Sequence, residues 1–418
     1  MLRRAFALLA CTLALAACAA GGARPRPIAY TGAPPTAGTA PLQTPAPAGR
    51  GVAILLPLTG PNAGLGEALL NAAKLALEVP GAPRLTPIDT AGTAEGAAAA
   101  AQTAIAGGAG MILGPLTSAE TAAAGPVAAA AGVPVLAFTN DSSQAKPGVW
   151  TLGITPLQQV RPVAAYAQSQ GRSRLGALVP DNSFGHAMSD ALVQAAAALG
   201  EASPVVTSYS GGMSGINSAA RIVADYANRR GPLDAQIKAA RSSGTGEGRK
   251  QAAEIAKRGV PPAPFDALLV TASGDELAEI VSLLSYYDVD APAVRLLGPT
   301  TWAANAESIS RQRGTSGALF AAPDPAFRGG FESKYSEKFG AGPPRVSGVA
   351  YDAATIALTL AQGPGFSGAA LTRGEGFPGV DGPLVLQGDG SVRRGLAVFE
   401  LHPGGAQIVQ PAQPPTGT

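Results

Sequence analysis

The sequence predicts an α/β protein with two lobes, each built on a parallel sheet. Three observations predict it. Short apolar runs recur from Gly51 onward, each followed by a longer stretch of helical pattern. That alternation marks strands covered on both faces by crossover helices. The rhythm pauses after Thr139 and restarts at Arg174, so two similar series stand in one chain. A length of 418 residues is also enough to bury more than one core.

The first series opens with VAILLPL (Val52–Leu58), predicted as a strand by its unbroken apolar run, then a helix over 64–78. RLTPIDT (Arg84–Thr90) is a strand before an Ala-rich helix over 94–107. AGMILGPL (Ala109–Leu116) precedes a helix over 118–131, and VPVLAFT (Val133–Thr139) closes the set. The second series predicts strands in RLGALVPD (Arg174–Asp181), PVVTSYS (Pro204–Ser210), FDALLVTAS (Phe265–Ser273) and VRLLGPT (Val294–Thr300). Helices over 184–199 and 276–287 go with them. In such sheets ligands sit beyond the carboxyl ends of the strands, so two lobes facing each other would form a cleft.

One segment breaks the rhythm. Asn228–Pro264 is basic and Gly-rich, and reads as helical pieces around a mobile loop at Ser242–Gly248. It is either a solvated surface insertion or a docking element, since insertions on rigid scaffolds often carry recognition.

The ends have their own logic. Arg3, Arg4 and a short apolar core over 5–15 form an export signal, too short for a permanent membrane span. It ends in Leu15-Ala16-Ala17-Cys18, which looks like a bacterial lipobox with Cys18 as the lipidated first residue of the mature chain. Residues 1–17 are then signal peptide, and 18–50 a tether rich in Pro, Ala and Gly that cannot bury enough apolar surface to fold. Residues 402–418 read as a flexible tail. With Cys11 removed and Cys18 lipidated, no thiol remains for a disulfide.

Composition excludes several function classes. A net charge of +2 from 30 basic and 28 acidic residues offers no field for nucleic acid. Two His and two Cys leave little for metal sites. The loop after the first strand fails as a phosphate loop, because Leu65 stands where the second Gly of a P-loop belongs and Leu69 where the third Gly of G-x-G-x-x-G belongs. Its amides at the start of the following helix could still hold a carboxylate. His186 reads as a surface or capping residue, and His402 as part of an exposed turn. Asp141, Asp181 and Asp275 lie on different loops, with no reason to pair as acid and base. The chain reads as no enzyme, with no cofactor and no metal.

Six motifs carry a family resemblance: VAILLPLTGPNAGLGEALLNAAKLAL, GMILGPLTSAET, AGVPVLAFTND, DNSFGHAMSDALVQAA, VRLLGPTTW and VAYDAATIAL. In this order they resemble type I periplasmic binding proteins, and most of all the leucine/isoleucine/valine-binding group. The resemblance spans residues 51–401 and implies two Rossmann-like lobes joined by three hinge crossovers. It places lobe 1 at about 51–156 and 322–382, and lobe 2 at about 157–321 and 383–401.

By the same resemblance, Ser118 falls where a carboxylate-binding Ser is expected and Thr139 where backbone groups are offered. Asp141 stands where a Thr hydroxyl would assist, and its charge would repel a carboxylate. Phe184 replaces the usual Tyr, and Thr300 the acid that holds a ligand ammonium. Thr59 and Asn62 are placed at the cleft rim. The fold is kept while the recognition set for a free amino acid looks dismantled.

The chain also resembles lipoprotein activators of penicillin-binding proteins, whose C-terminal domain uses this fold. The lipobox with Ala19, the long tether, the eroded ammonium site, the basic insertion and the ending GPLVLQGDGSVRRGLAVFEL carry that likeness. The enterobacterial activators have an additional helical-repeat domain, where this chain has its tether. The expectation is an envelope lipoprotein, in the outer membrane rather than the inner, that stimulates a peptidoglycan synthase. Arg229, Arg230, Lys238, Arg241, Arg249 and Lys250 would dock that partner. The alternative is a solute-binding lipoprotein of an ABC importer, with a permease as partner and an amino acid, amide or related small molecule as ligand. Either way, contact with the membrane is through the lipid alone.

Overall fold

The computed structural model describes residues 51–415. The expected signal peptide, lipidation at Cys18 and tether lie outside the described residues. The chain first builds one sheet: β1 (Gly51–Leu56), α1 (Ala63–Ala76), β2 (Leu85–Asp89), α2 (Ala94–Ala106), β3 (Ala109–Leu113), α3 (Ser118–Ala130), β4 (Val135–Ala137) and β5 (Val149–Thr151). All its pairings are parallel, in the order β2-β1-β3-β4-β5. The apolar run of β1 is explained by burial on both faces. Val52, Ile54 and Leu56 point into one core, Ala53 and Leu55 into the other with the Ala-rich faces of α2 and α3.

The chain then crosses to the second lobe. Its elements are α4 (Pro156–Ser169), β6 (Leu175–Pro180), α5 (Ser183–Ala198), β7 (Val205–Tyr209), α6 (Gly212–Val223), α7 (Tyr226–Ser242), α8 (Gly246–Ala256), β8 (Ala267–Val270), α9 (Gly274–Tyr286), β9 (Arg295–Gly298), α10 (Ala306–Ser310) and β10 (Leu319–Ala322). A second crossing, at 323–324, returns it to the first lobe as α11 (Pro325–Phe339), α12 (Ser347–Ala361), α13 (Gly368–Leu371), β11 (Leu384–Leu386) and β12 (Val392–Arg394). The third leads to β13 (Ala397–His402) and β14 (Gly405–Gln410), which extend the second sheet as an antiparallel hairpin: β14-β13-β10-β9-β8-β6-β7.

Two boundaries differ from the sequence reading. The third crossing falls at 395–396 rather than 382–383, because Leu384, Leu386 and Val392 of the short β11–β12 hairpin are buried in the first lobe's core. Residues 405–410 are strand β14 rather than loose tail, and Ala412 is buried with its N–H donated to Asp324 Oδ2 at 3.2 Å. His402 accordingly ends a strand instead of lying in a turn beyond the last one.

The same device opens both lobes. In the first turns of α1 and α5 stand Gly66 and Gly185, where a Cβ would meet the carbonyl oxygens of Pro57 and Pro180 at 2.1 and 2.0 Å. Only glycine lets each helix pack so closely on the strand that precedes it.

The basic segment is more ordered than its composition implied. Instead of a mobile loop at Ser242–Gly248, α7 and α8 meet in a tight turn, with Thr245 Oγ1 accepting the Gly248 N–H at 3.0 Å as an N-cap. Ile237, Ala252 and Ile255 give this helical hairpin a small core of its own. Among the described residues no helix is long and apolar enough to cross a membrane.

Candidate functional site

Both lobes and the crossings between them line a cleft of about 1140 Å³. Ser118, Thr139, Asp141, Phe184 and Thr300 all line it, brought together from α3, the β4–β5 loop, α5 and the turn after β9. Thr59 and Asn62, expected at its rim, do not line it.

The reason for that correction lies in Asp89 at the end of β2. Its carboxylate accepts the Leu58, Thr59 and Ala91 N–H groups at 2.8, 3.2 and 2.8 Å, and the Thr59 hydroxyl at 2.6 Å. The loop after β1 does hold a carboxylate, and it is the chain's own. The Thr59 hydroxyl, with the three amides, holds Asp89 below its ordinary value against the opposing effect of burial.

A second internal carboxylate lines the cleft itself. The Ser118 hydroxyl, which the family pattern directs at a ligand carboxylate, donates to Asp141 Oδ2. The Ser143 N–H donates to Asp141 Oδ1 at 3.0 Å, and the Asp141 N–H donates to Thr139 Oγ1 at 3.1 Å. Burial works to raise the Asp141 pKa. The hydrogen bonds from Ser118, Ser143 and Gln144 outweigh it, so the carboxyl lies below its ordinary value and is ionised at neutral pH.

The opposite wall is also self-satisfied. The Thr300 N–H donates to Gln159 Oε1 at 3.0 Å and its hydroxyl to the Ala321 carbonyl at 2.7 Å. Phe184 presents a ring that is 37% exposed.

The sequence reading missed the charged residues that α11 and the loops after it bring in: Arg328, Glu332, Arg345 and Asp381. Arg328 has its charge compensated within the chain. Its guanidinium pairs with Asp381 and with Glu332 at 2.6 Å, and donates to the Arg345 carbonyl at 2.8 Å. Arg345 is exposed and makes one weak bond, from Nη2 to the Ala303 carbonyl on the other lobe at 3.3 Å. Arg328 and Glu332 are four residues apart on α11, but Arg345 and Asp381 come from separate parts of the chain and no local spacing links them to that pair. The one available signal was Arg345 standing just before VAYDAATIAL.

A buried ionic network backs the cleft where the crossings meet. Arg394 Nη1 pairs with Asp352 at 2.8 Å, both side chains being fully buried, and Nη2 donates to the Leu152 carbonyl at 3.0 Å. The Val380 N–H donates to Asp352 Oδ1 at 2.6 Å. The first and third crossings are thereby tied through one guanidinium. Burial pushes the Asp352 carboxyl up to about 6 against the pull of Arg394, and raises Asp381 as well.

The basic set is split by its burial. Arg229 is no docking residue: it is 6% exposed and donates four bonds, to the carbonyls of Pro261, Ala224, Tyr287 and Asp288 at 2.6 to 3.2 Å. It clamps the base of the α7–α8 hairpin to the lobe. Arg230 is half-buried and pairs with Asp234 at 2.9 Å. Lys238, Arg241, Arg249 and Lys250 are exposed. His186 forms an exposed pair with Asp181 at 2.8 Å, away from the cleft lining. Among the described residues no group of three His, Cys, Asp or Glu is placed to hold a metal ion.

A family model for periplasmic binding proteins matches residues 51–406. No curated protein matches the sequence. Among solved structures, a putative branched-chain amino acid ABC transporter from Rhodospirillum rubrum is 20% identical, with a TM-score of 0.64 over 86% of this chain and 99% of that one. The C-domain of Haemophilus influenzae LpoA, a regulator of PBP1A, is 16% identical, with a TM-score of 0.60 over 86% of this chain and 99% of that one. Against full-length LpoA the chain spans 59% of its length, with 16% identity, 87% of this chain covered and a TM-score of 0.62. At these identities the likeness is one of fold.

Proposed function

The chain belongs to the periplasmic binding protein family, and from that premise we propose that it is a non-catalytic envelope lipoprotein, held through Cys18 at the outer membrane, that stimulates a peptidoglycan synthase by direct contact. The observation that carries this reading is the Ser118–Asp141 bond. A carrier of free amino acids needs that hydroxyl for its ligand's carboxylate. Here an ionised side chain holds it, and a second carboxylate about 4 Å away would be repelled by roughly 4 kcal/mol. That corresponds to about a thousandfold in affinity. Thr300, on the other wall, has no charge to hold an ammonium and spends its hydroxyl on Ala321.

Contact would be made by the α7–α8 hairpin, whose exposed Lys238, Arg241, Arg249 and Lys250 suit an acidic patch on the synthase. Charges of this exposed kind set association rate and salt dependence more than final affinity. The likeness to the C-domain of LpoA is compatible with the reading without deciding it. One observation favours a second reading, a solute-binding lipoprotein of an ABC importer: the cleft remains large and open to a ligand other than a free amino acid.

A pull-down from envelope extract with the lipidated chain tests both. Recovery of a penicillin-binding protein, weakened when Lys238, Arg241, Arg249 and Lys250 are changed to Glu, is the result expected. Recovery of an inner-membrane permease instead would replace this reading with the second.

A further inference from the structure

Five charged residues line the cleft: Asp141, Arg328, Glu332, Arg345 and Asp381. Three of them pair with one another through Arg328. Among the described residues, the other two have no ion-pair partner. Asp141 holds its charge on bonds from a hydroxyl, a backbone N–H and an amide, none of them cationic. The Ser143 hydroxyl adds a fourth donor, so what stays unmet at Asp141 is charge rather than hydrogen bonding. Arg345 has five N–H donors and spends one, on the Ala303 carbonyl. The cleft thus presents one uncompensated charge of each sign.

Their placement separates them. Ser118 opens α3, whose inner face packs on one side of the first sheet with α2, and Asp141 in the β4–β5 loop is bonded to it. Arg345 stands two residues before α12, which packs on the other side of that sheet with α1. An α-amino acid carries both its charges around a single carbon, whereas loops fed from opposite faces of the sheet favour a ligand that can span a wider gap. A chain of a few residues can, since an extended peptide gains about 3.3–3.6 Å per residue. The rings of Phe138, Phe184 and Phe399 and the side chain of Leu116 offer such a chain apolar walls. The cleft volume exceeds the roughly 300–1000 Å³ usual for small-molecule pockets.

We propose that the cleft binds an elongated zwitterion, a short peptide with free ends, with its amino terminus on Asp141 and its carboxyl terminus on Arg345. The polarity is the reverse of the amino-acid pattern at Ser118: a cation is taken where a carboxylate was expected. This inference goes beyond the proposed function and does not rest on it. For an activator the peptide is a regulator, and for a carrier it is cargo.

The test is native mass spectrometry of the full mature chain, incubated with an equimolar mixture of tripeptides varied at all positions. The same mixture is then used N-acetylated, and again C-amidated. Adducts of tripeptide mass are expected from the free mixture, with retention falling about tenfold or more when either end is capped. Asp141→Asn should lose retention and become indifferent to N-acetylation, and Arg345→Gln should become indifferent to C-amidation. No adduct from the free mixture, or adducts that survive capping of both ends, overturns the proposal. So does displacement of the tripeptides by free leucine. Such a failure leaves the pull-down through the hairpin untouched, and a failed pull-down leaves the tripeptide result standing.

Discussion

Two sets of charges lie close together in this fold and behave in opposite ways. Near the crossings, Arg394–Asp352 is paired and fully buried, and Arg328–Asp381 is paired and largely covered. In the cleft lining, Asp141 and Arg345 have no partner of opposite sign among the described residues. Charges of the first kind fasten the crossings to the first lobe, because a buried ion is tolerated only with its counter-ion in place. Charges of the second kind keep part of their interaction capacity for something outside the chain. The contrast teaches that burial and pairing, rather than residue type, decide which charges serve the fold and which serve a ligand.

The contrast breaks first at Asp352. Asp352→Ala leaves the Arg394 guanidinium buried without compensation and should lower stability by about 3–5 kcal/mol. Urea unfolding measures it, and a neutral result would remove the network from its structural role. Next comes Arg229→Ala, which strands four carbonyls and should cost about 3 kcal/mol. Lys250→Ala on the same hairpin should stay within about 0.5 kcal/mol in the same assay. Equal losses at the two positions would show that Arg229 is not the clamp. In the cleft lining, Asp141→Asn should change stability by less than about 1 kcal/mol, because its bonds are partly exposed.

The smallest effect is on pH dependence, and it has opposite signs in the two regions. Asp352 is raised by burial from 3.8 to about 6. The native state therefore takes up a proton there that the unfolded chain has lost. Its contribution is fully present below 3.8 and is lost as pH rises through about 6. Asp141 is lowered, so its contribution is present above 3.8 and is lost as pH falls through its folded value. Stability should rise more steeply between about pH 4 and about pH 6 in Asp352→Asn than in the parent chain. Below about pH 4 it should fall less steeply in Asp141→Asn. Parallel profiles in all three proteins would contradict the assignment of the two groups.

Much of the architecture was legible along the chain. The apolar runs at Val52 and Leu175 and the Ala-rich stretch at Ala94 announced strands and helices, because burial on two faces leaves no polar alternation. The β11–β12 hairpin and β14 were missed. Strands of three residues carry too little pattern, and GAQIVQ becomes a strand only by pairing with β13. In the cleft, Ser118, Asp141, Phe184 and Thr300 were found through motifs, whereas Arg328, Arg345 and Asp381 belong to no local pattern.

By itself, then, the sequence determined the two-lobed parallel architecture and supplied the expectation that the groups a free amino acid needs are missing. Both follow from local periodicity and from residue types at fixed offsets, which a linear reading preserves. Only the tertiary structure decided which charges are spent. Arg229 reads as one more surface cation until four carbonyls surround it. Asp141 reads as a repulsive defect until it is seen to take the Ser118 hydroxyl and keep its charge toward the cleft. The physical reason is the same in both cases. The state of a charge is set by partners and burial in space, and those come from residues far apart along the chain.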